Sequence, residues 1–430
     1  MKKTNILICG LLIFLISSMF SYFPSATVLA TTLDKPSIVG KSAITMDLKT
    51  GEIIYAKDID TKRYPASITK LMTALIFAEN ATKDAIIPFT ESAKIQPEYS
   101  LSANYGPIAI GDSLSGADVM NALLLFSAND SAYMVADYVS GSNSEFIKLM
   151  NSRAKDLGLK NTNFENPNGL HNDNHYTTAY DLALMGKAML ENEWIKETMA
   201  TEKAQIQFIK SQKRINIENR NKLLGKDGNI GGKTGFTIPA GRCLLAFYQE
   251  DGRTLLGIVL NSEYGATDTQ VFDDMATIID YSFGAKKIKY KEIGEQIAEV
   301  EAKYKTFGFF GKENTIKIPI TINDEIMRYD NSINAKDISV SVNTKDLNAW
   351  KIAGADDLKV NFSEKGSLLE FTASAEISNF SIIKENLFYY FTRIASVIAI
   401  ISIFVWLFLT IKNKHKRRRS FFRKRKNIFK

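Results

Sequence analysis

Ser67 and Lys70 stand three residues apart in Pro65-Ala66-Ser67-Ile68-Thr69-Lys70-Leu71-Met72-Thr73-Ala74-Leu75. Residues i and i+3 share a helix face, so a helix here sets an amine beside a hydroxyl. A serine hydroxyl attacks poorly until a neighbouring base takes its proton. A lysine amine becomes that base once burial or a nearby cation brings its pKa down from about 10.4. The chemistry on offer is acyl transfer through a Ser67 ester. The spacing alone does not single out this pair, because Ser152/Lys155 and Ser381/Lys384 repeat it. The surrounding elements must decide.

Around Ser67 the apolar residues Ile68, Leu71 and Leu75 step by three and four, and Pro65 marks a helix start. Residues 42–47 and 52–57 read as a hairpin turning through Leu48-Lys49-Thr50-Gly51. A loop-rich stretch runs to about Asp112. An apolar helix over 116–126 then ends in Ser127-Ala128-Asn129-Asp130, with a second helix following to about Val139. Further helices are expected over 144–157, 176–191 and 273–283, and strands over 230–236, 243–249 and 254–261. This pattern predicts an α/β domain, an antiparallel sheet flanked by helices. Strand-like pieces at 315–322, 337–342, 358–362 and 368–375 predict a smaller C-terminal β-rich domain that gathers no catalytic residue types.

Three further elements complete a serine-lysine site. Ser127 and Asn129, at a helix junction, supply polar groups across a cleft. Lys233-Thr234-Gly235, on a strand, offers a cation and a hydroxyl for a substrate carboxylate, and Gly235 leaves the strand open to a ligand. The backbone N–H groups of Ser67 and Phe236 are the candidate oxyanion donors. Lys49-Thr50-Gly51 and Ser102-Ala103-Asn104 repeat these motifs, but the first is expected in a turn and the second in a loop. Ser332/Asn334 and Ser341/Asn343 also match serine-x-asparagine.

The charge distribution excludes nucleic acid as a partner. The net charge is +7 over 430 residues, yet residues 412–430 carry eleven Lys/Arg and no acid. With Lys2 and Lys3 set aside, the remaining bases fall six short of the 47 acids. Residues 1–30 read as a secretory signal peptide, with two lysines, an apolar run over 6–20 and small residues at Val28-Leu29-Ala30. Cleavage is expected, with an uncleaved anchor as the alternative. Residues 394–411 are eighteen residues without a charge, preceded by Tyr389, Tyr390 and Phe391, which predicts a transmembrane helix over 387–411. The basic tail, 412–430, is then cytoplasmic and touches anionic lipid. The folded part, 31–284 and 285–385, lies outside the cell membrane. Cys9 falls in the signal, leaving Cys243 without a disulfide partner, expected as a small buried strand residue. His171, His175 and His415 are too scattered for a structural zinc site, and no metal or organic cofactor is expected.

Taken together, the chain resembles the D-alanyl-D-alanine carboxypeptidases, the low-molecular-mass penicillin-binding proteins. The resemblance rests on four stretches in the family's order: Pro65 to Ala74, Leu123-Leu124-Leu125-Phe126-Ser127-Ala128-Asn129-Asp130-Ser131-Ala132, Asn166-Pro167-Asn168-Gly169-Leu170 and Gly232-Lys233-Thr234-Gly235. It covers about residues 36–284 and implies the penicillin-binding/β-lactamase-like transpeptidase fold. It implies that Ser67 attacks a peptidoglycan stem peptide ending in D-Ala-D-Ala, with Lys70 as general base and Ser127 passing a proton to the leaving D-alanine. Lys233 and Thr234 would bind the terminal carboxylate and Asn129 the amide, with Gly235 and Phe236 beside them. Lys233 would also help keep Lys70 neutral by like-charge repulsion. β-Lactams would acylate Ser67.

The chain departs from the family in two places. Many relatives have an arginine soon after the strand matched by 255–261, where this chain reads Asn261-Ser262-Glu263-Tyr264. Relatives usually end in an amphipathic surface helix rather than a full span. Two other readings stay open. One is a β-lactamase-like hydrolase, for which Glu165 lacks the expected surroundings. The other is a non-catalytic penicillin-binding wall protein. His171 and His175 are expected to pack a loop or face solvent.

Overall fold

The computed structural model describes residues 35–426 apart from 266 and 346, with side chains as far as residue 419. The expected signal segment and Cys9 lie outside the described residues.

A five-stranded antiparallel sheet organises the first two-thirds of the chain. Its strands are β1 (Ser42–Asp47), β2 (Ile53–Lys57), β7 (Asn229–Thr237), β8 (Gly241–Glu250) and β9 (Arg253–Ser262), in the order β2-β1-β9-β8-β7. Side chains of a strand alternate between faces, and both faces here are apolar. Leu244, Ala246 and Tyr248 of β8 pack with Leu255 and Val259 of β9 on one face. Cys243, Leu245 and Phe247, with Leu256, Ile258 and Leu260, pack on the other.

The first face is covered by a helix, Gln270–Gly284, through Val271, Met275, Ile278 and Ile279. The second carries the helical layer that holds the polar motifs. That layer contains α1 (Lys70–Asn80), α2 (Gly116–Asn121, continued as a π-helical turn over Ala122–Phe126) and α3 (Asn129–Ser140). It also contains α4 (Asn143–Asp156), α5 (Ala179–Leu190) and α6 (Glu193–Met199). Side-chain caps start several of these helices: Ser142 accepts from Glu145 N and Thr178 from Asp181 N, each satisfying an otherwise unpaired first-turn N–H.

Two small ribbons flank this layer, β3 (Ile86–Pro88) with β4 (Ser113–Ser115), and β5 (Lys203–Gln207) with β6 (Arg214–Glu218). Ser102-Ala103-Asn104, expected in a loop, lies on a short helix, Leu101–Tyr105, because Leu101 is buried and anchors it.

The C-terminal β-rich region follows. A second five-stranded sheet runs β11 (Gln296–Lys305), β12 (Glu313–Ile322), β16 (Ser367–Ala375), β15 (Leu358–Glu364) and β14 (Ser339–Val342), with a separate ribbon of β10 (Ile288–Lys291) and β13 (Ile326–Arg328). Its core is Ile318, Ile320, Val360, Phe362 and neighbours. Asn331 and Asn334 donate side-chain N–H bonds to Ile53 O at 2.9 and 3.0 Å. Lys287 reaches the buried Glu52 carboxylate at 2.7 Å. These bonds fasten the region to the first hairpin. One helix, α7 (Leu387–Lys426), leaves it without an intervening loop. Its apolar portion is long enough to cross a bilayer and is not covered by the protein.

Candidate active site

The chain enters α1 through a tight turn. Pro65 is followed by Ala66 at φ +46° and a 3-10 segment, Ala66–Thr69. An L-residue at positive φ crowds its Cβ against the backbone at a cost of about 1–2 kcal/mol. The strained turn holds Ser67 half-buried at the mouth of a cleft while Lys70 faces inward, fully buried. Gly235 of β7 lies against this turn, where a Cβ would come within 3.0 Å of Ser67 N and 3.1 Å of Pro65 O. Gly169 lies against it from the opposite loop at φ +81°, where a Cβ would sit 1.9 Å from Ala66 O. A side chain is excluded at Gly169, and at Gly235 it would have to push the Ser67 turn aside.

Lys70 Nζ lies within hydrogen-bond distance of three oxygens: Ser67 Oγ at 2.9 Å, Asn129 Oδ1 at 2.8 Å and the backbone carbonyl of Asn168 at 2.7 Å. Burial, and then the Arg220 cation, bring its pKa from 10.5 to about 7, against a smaller opposing pull from Asp130. The neutral amine has two N–H groups and one lone pair. Two of its three contacts are carbonyl oxygens, which only accept. The lone pair therefore falls to Ser67, the one contact with a proton to give. This geometry suits proton abstraction from Ser67 Oγ, within the hydrogen-bond reach that general base catalysis requires.

The π-helical turn at the end of α2 brings the next two groups in. Such turns carry an extra residue per turn and recur at functional sites. Ser127 follows it in the left-handed conformation, φ +71°, and Ala128 N closes on Ala122 O at 2.9 Å. Ser127 Oγ is buried, lines the cleft and has no protein partner among the described residues. Asn129 Nδ2 donates to Glu98 O at 2.7 Å, so both ends of its amide are engaged by the protein.

β7 is an edge strand of the sheet, leaving the outer side of its backbone unpaired with another strand. Thr234, Gly235 and Phe236 line the cleft. Lys233 is buried behind them, donating to Thr234 O at 3.1 Å. Its pKa is pushed well below the usual lysine value by burial, then by Lys70 and Arg220. The site therefore disfavours carrying every cation at once, and a carboxylate placed beside them would relieve that repulsion.

The cleft has a volume of about 500 Å³. Two arginines that line it escaped sequence reasoning. Arg220, after β6, stacks on Tyr99 and Phe126 at 4.5 and 4.7 Å from their ring centroids. Arg242 of β8 lies over the touching rings of Phe236 and Tyr264 and pairs with both carboxylate oxygens of Asp268 through its Nε and Nη2. Its register partner on β9 is Ser262, within the segment where the family's arginine is missing. Neither is part of a short motif, and each depends on long-range pairing. The Asn168 carbonyl was likewise unassigned, although the stretch that contains it was singled out. Asn166 shapes that loop, accepting from Gly169 N at 2.7 Å.

The histidines take packing roles. His175 Nδ1 accepts from Glu165 N at 3.3 Å, so Nε2 carries the hydrogen and donates to Thr69 Oγ1 at 2.9 Å. Burial lowers its pKa to about 4. His171 meets the Tyr64 ring edge-on at 4.7 Å. Cys243 is buried opposite Gly235 in the β7–β8 register, and burial raises its thiol to about 11. Among the described residues no three His, Cys, Asp or Glu side chains converge as a metal site would need.

Comparison with known proteins agrees with this architecture. The family profile described as D-alanyl-D-alanine carboxypeptidase matches residues 29–264. The D-alanyl-D-alanine carboxypeptidase DacF of Bacillus subtilis is 30% identical over 286 residues, covering 66% of this chain and 72% of the relative. The crystal structure of the Streptomyces K15 DD-transpeptidase superposes with a TM-score of 0.54 at 28% identity, over 59% of this chain and all of that one. The carboxypeptidase DacD of Francisella tularensis shares the fold over a longer span, with a TM-score of 0.58 at 22% identity, covering 83% of this chain and 98% of its own. By profile, identity and fold, the chain belongs to the D-alanyl-D-alanine carboxypeptidase family.

Proposed function

We propose that this chain, a serine-type D-Ala-D-Ala carboxypeptidase, works through Ser67 as nucleophile and Lys70 as base on peptidoglycan stem peptides. The observation that carries the assignment is the Lys70 amine, buried, near neutrality, and bound by two carbonyls so that its lone pair meets Ser67. Lys70 takes the Ser67 proton as Oγ bonds to the penultimate D-alanine carbonyl carbon. The C–N bond then breaks, and the leaving D-alanine amine receives the proton through Lys70 and Ser127. Water, deprotonated by Lys70, hydrolyses the ester and frees Ser67.

The backbone N–H groups of Ser67 and Phe236 receive the oxyanion. Asn129 fixes Lys70, with its remaining amide capacity toward the substrate. A peptide laid along the free edge of β7 is recognised by strand addition. Its carboxylate meets Thr234, with Lys233 behind and the Arg220 cation across the cleft. β-Lactams enter the same path and stop at the Ser67 ester.

The same reading assigns residues 1–30 as signal peptide, 31–284 as catalytic domain and 285–385 as an extracytoplasmic β-rich domain. Residues 387–411 form a single span and 412–430 a cytoplasmic tail facing anionic lipid. The uncovered apolar helix supports the span, and its basic end supports the orientation.

Mass spectrometry of the full-length protein in detergent after labelled penicillin tests the assignment. One adduct on Ser67, abolished in Ser67→Ala, together with D-alanine release from a pentapeptide, is expected. An adduct on Ser152 or Ser127 overturns it.

A further inference from the structure

The β11–β12 hairpin ends in Phe307-Gly308-Phe309-Phe310-Gly311-Lys312, an aromatic tip unlike an ordinary polar turn. Phe309 is 82% exposed and Phe310 53%. The tip stands directly against the start of α7. Phe307 packs on Tyr389 and Tyr390 at centroid distances of 6.0 and 5.3 Å. Tyr390 Oη donates to Thr306 O, and Asn386 Nδ2 donates to Tyr304 Oη at 2.8 Å. These bonds fix the hairpin to the helix one turn before the charge-free run begins at Ile394, about 6 Å along the axis. Phe388 and Phe391, 82% and 73% exposed, extend the same aromatic band.

Behind the tip a crevice of about 530 Å³ opens between the hairpin and α7. Phe307, Trp350, Ile383, Leu387 and Tyr390 line it, and its walls are almost wholly carbon. Lys305 and Lys312 flank the tip, exposed and without a carboxylate partner among the described residues. Contiguous exposed apolar surface rimmed by cations marks a contact site. Its continuity with an aromatic-flanked apolar helix identifies the occupant, because aromatic rings and snorkelling lysines settle at the membrane interface.

We propose that the β11–β12 tip and its crevice form a second membrane contact, in which Phe309 and Phe310 enter the outer interface. A phospholipid acyl chain fills the crevice, and Lys305 and Lys312 meet the headgroups. This rests on the reading of α7 as a membrane span. The β-rich region is then seated on the bilayer at two points rather than swinging from one, which fixes the attitude of the catalytic cleft.

The three tryptophans separate the proposal from the reading beneath it. Trp350 lines the crevice, Trp406 lies twelve residues into the apolar run of α7, about 18 Å along it, and Trp194 packs on Phe77 in the catalytic domain. Full-length variants retaining one tryptophan each are reconstituted in phosphatidylcholine–phosphatidylglycerol vesicles brominated near the acyl carbonyl or near the chain end. Penicillin labelling verifies that each is folded.

Quenching of Trp350 by shallow bromines and of Trp406 by deep ones is expected, with Trp194 unaffected. In the Phe309→Ser/Phe310→Ser variant, quenching of Trp350 falls at least twofold while that of Trp406 stays. Trp406 quenched with Trp350 untouched overturns the second contact and leaves the span standing. Trp406 untouched overturns the span and the proposal with it. Trp350 quenching that survives the double serine variant also overturns the proposed role of the tip.

Discussion

Replacing Asn129 with aspartate exchanges its Nδ2 for oxygen and turns the Oδ1 that lies 2.8 Å from the Lys70 amine into part of a carboxylate, which tests the proposed base directly. At an effective dielectric of about 20, a carboxylate at that distance attracts the ammonium by about 6 kcal/mol. Desolvation of the new carboxylate takes back roughly half, leaving about 3 kcal/mol, or about two pKa units. Lys70 then moves from about 7 to about 9. At pH 7 its neutral fraction falls from about one half to about one hundredth, so acylation slows about fifty-fold.

The assay is the second-order rate of fluorescent penicillin labelling across the neutral and alkaline range. The wild-type rate rises with pH to a plateau above about 7, since the neutral amine is the working form. The variant rate is expected to rise through about 9 and to recover most of the loss at the alkaline end. Aspartate also strands the Glu98 carbonyl, costing about 1–3 kcal/mol of stability, which melting reads separately. An unmoved pH limb means that Lys70 does not set it. That result sinks the assignment of Lys70 as base. A uniform loss with no alkaline recovery means that Asn129 acts by position alone and sinks the electrostatic account of this pair.

Three more outcomes follow from the same geometry. Gly235→Ala brings a Cβ to 3.0 Å from Ser67 N and 3.1 Å from Pro65 O, so β7 and the Ser67 turn must part slightly, and penicillin acylation is expected to drop by up to about 10²-fold with the fold retained by circular dichroism. Arg220→Ala removes a cation that holds both lysines down. The acid limb of the rate profile should then move upward, while KM for a peptide carboxylate rises about ten- to a hundred-fold. His175 is neutral when folded, with its pKa lowered to about 4, whereas the unfolded chain binds a proton below 6.5. Its stabilising contribution is thus complete above 6.5 and lost as pH falls toward 4. About 3 kcal/mol of urea-measured stability should vanish across that window, and His175→Gln should flatten it.

Much of the site was legible in the sequence because its parts are local. Ser67 and Lys70 share one turn, Ser127 and Asn129 share one helix junction, and Lys233 to Phe236 share one strand. The alternation in β8 and β9 and the helical step of Leu71 and Leu75 marked the elements that carry them. The groups that escaped are those brought in from afar. Arg220 reaches the cleft because β6 pairs with β5 and its backbone meets Leu125 O at 3.3 Å. Arg242 faces the segment of the missing arginine through cross-strand register. The Asn168 carbonyl is a backbone atom, invisible to any reading by side-chain type. The strands β3 to β6 span only three to five residues each, so the alternation that Ile215 and Ile217 show between exposed polar neighbours in β6 is too brief to stand out. The left-handed Ser127 could not be foreseen either, since it depends on the π-helical turn before it.

The positive φ of Ala66 sets heat tolerance against activity at a single peptide unit. Glycine at that position would relieve roughly 1 kcal/mol of backbone strain and raise the melting temperature. It would also slacken the turn that holds Ser67, the proposed nucleophile. Selection for thermal endurance alone should therefore reach this residue early and deliver sturdier, slower descendants.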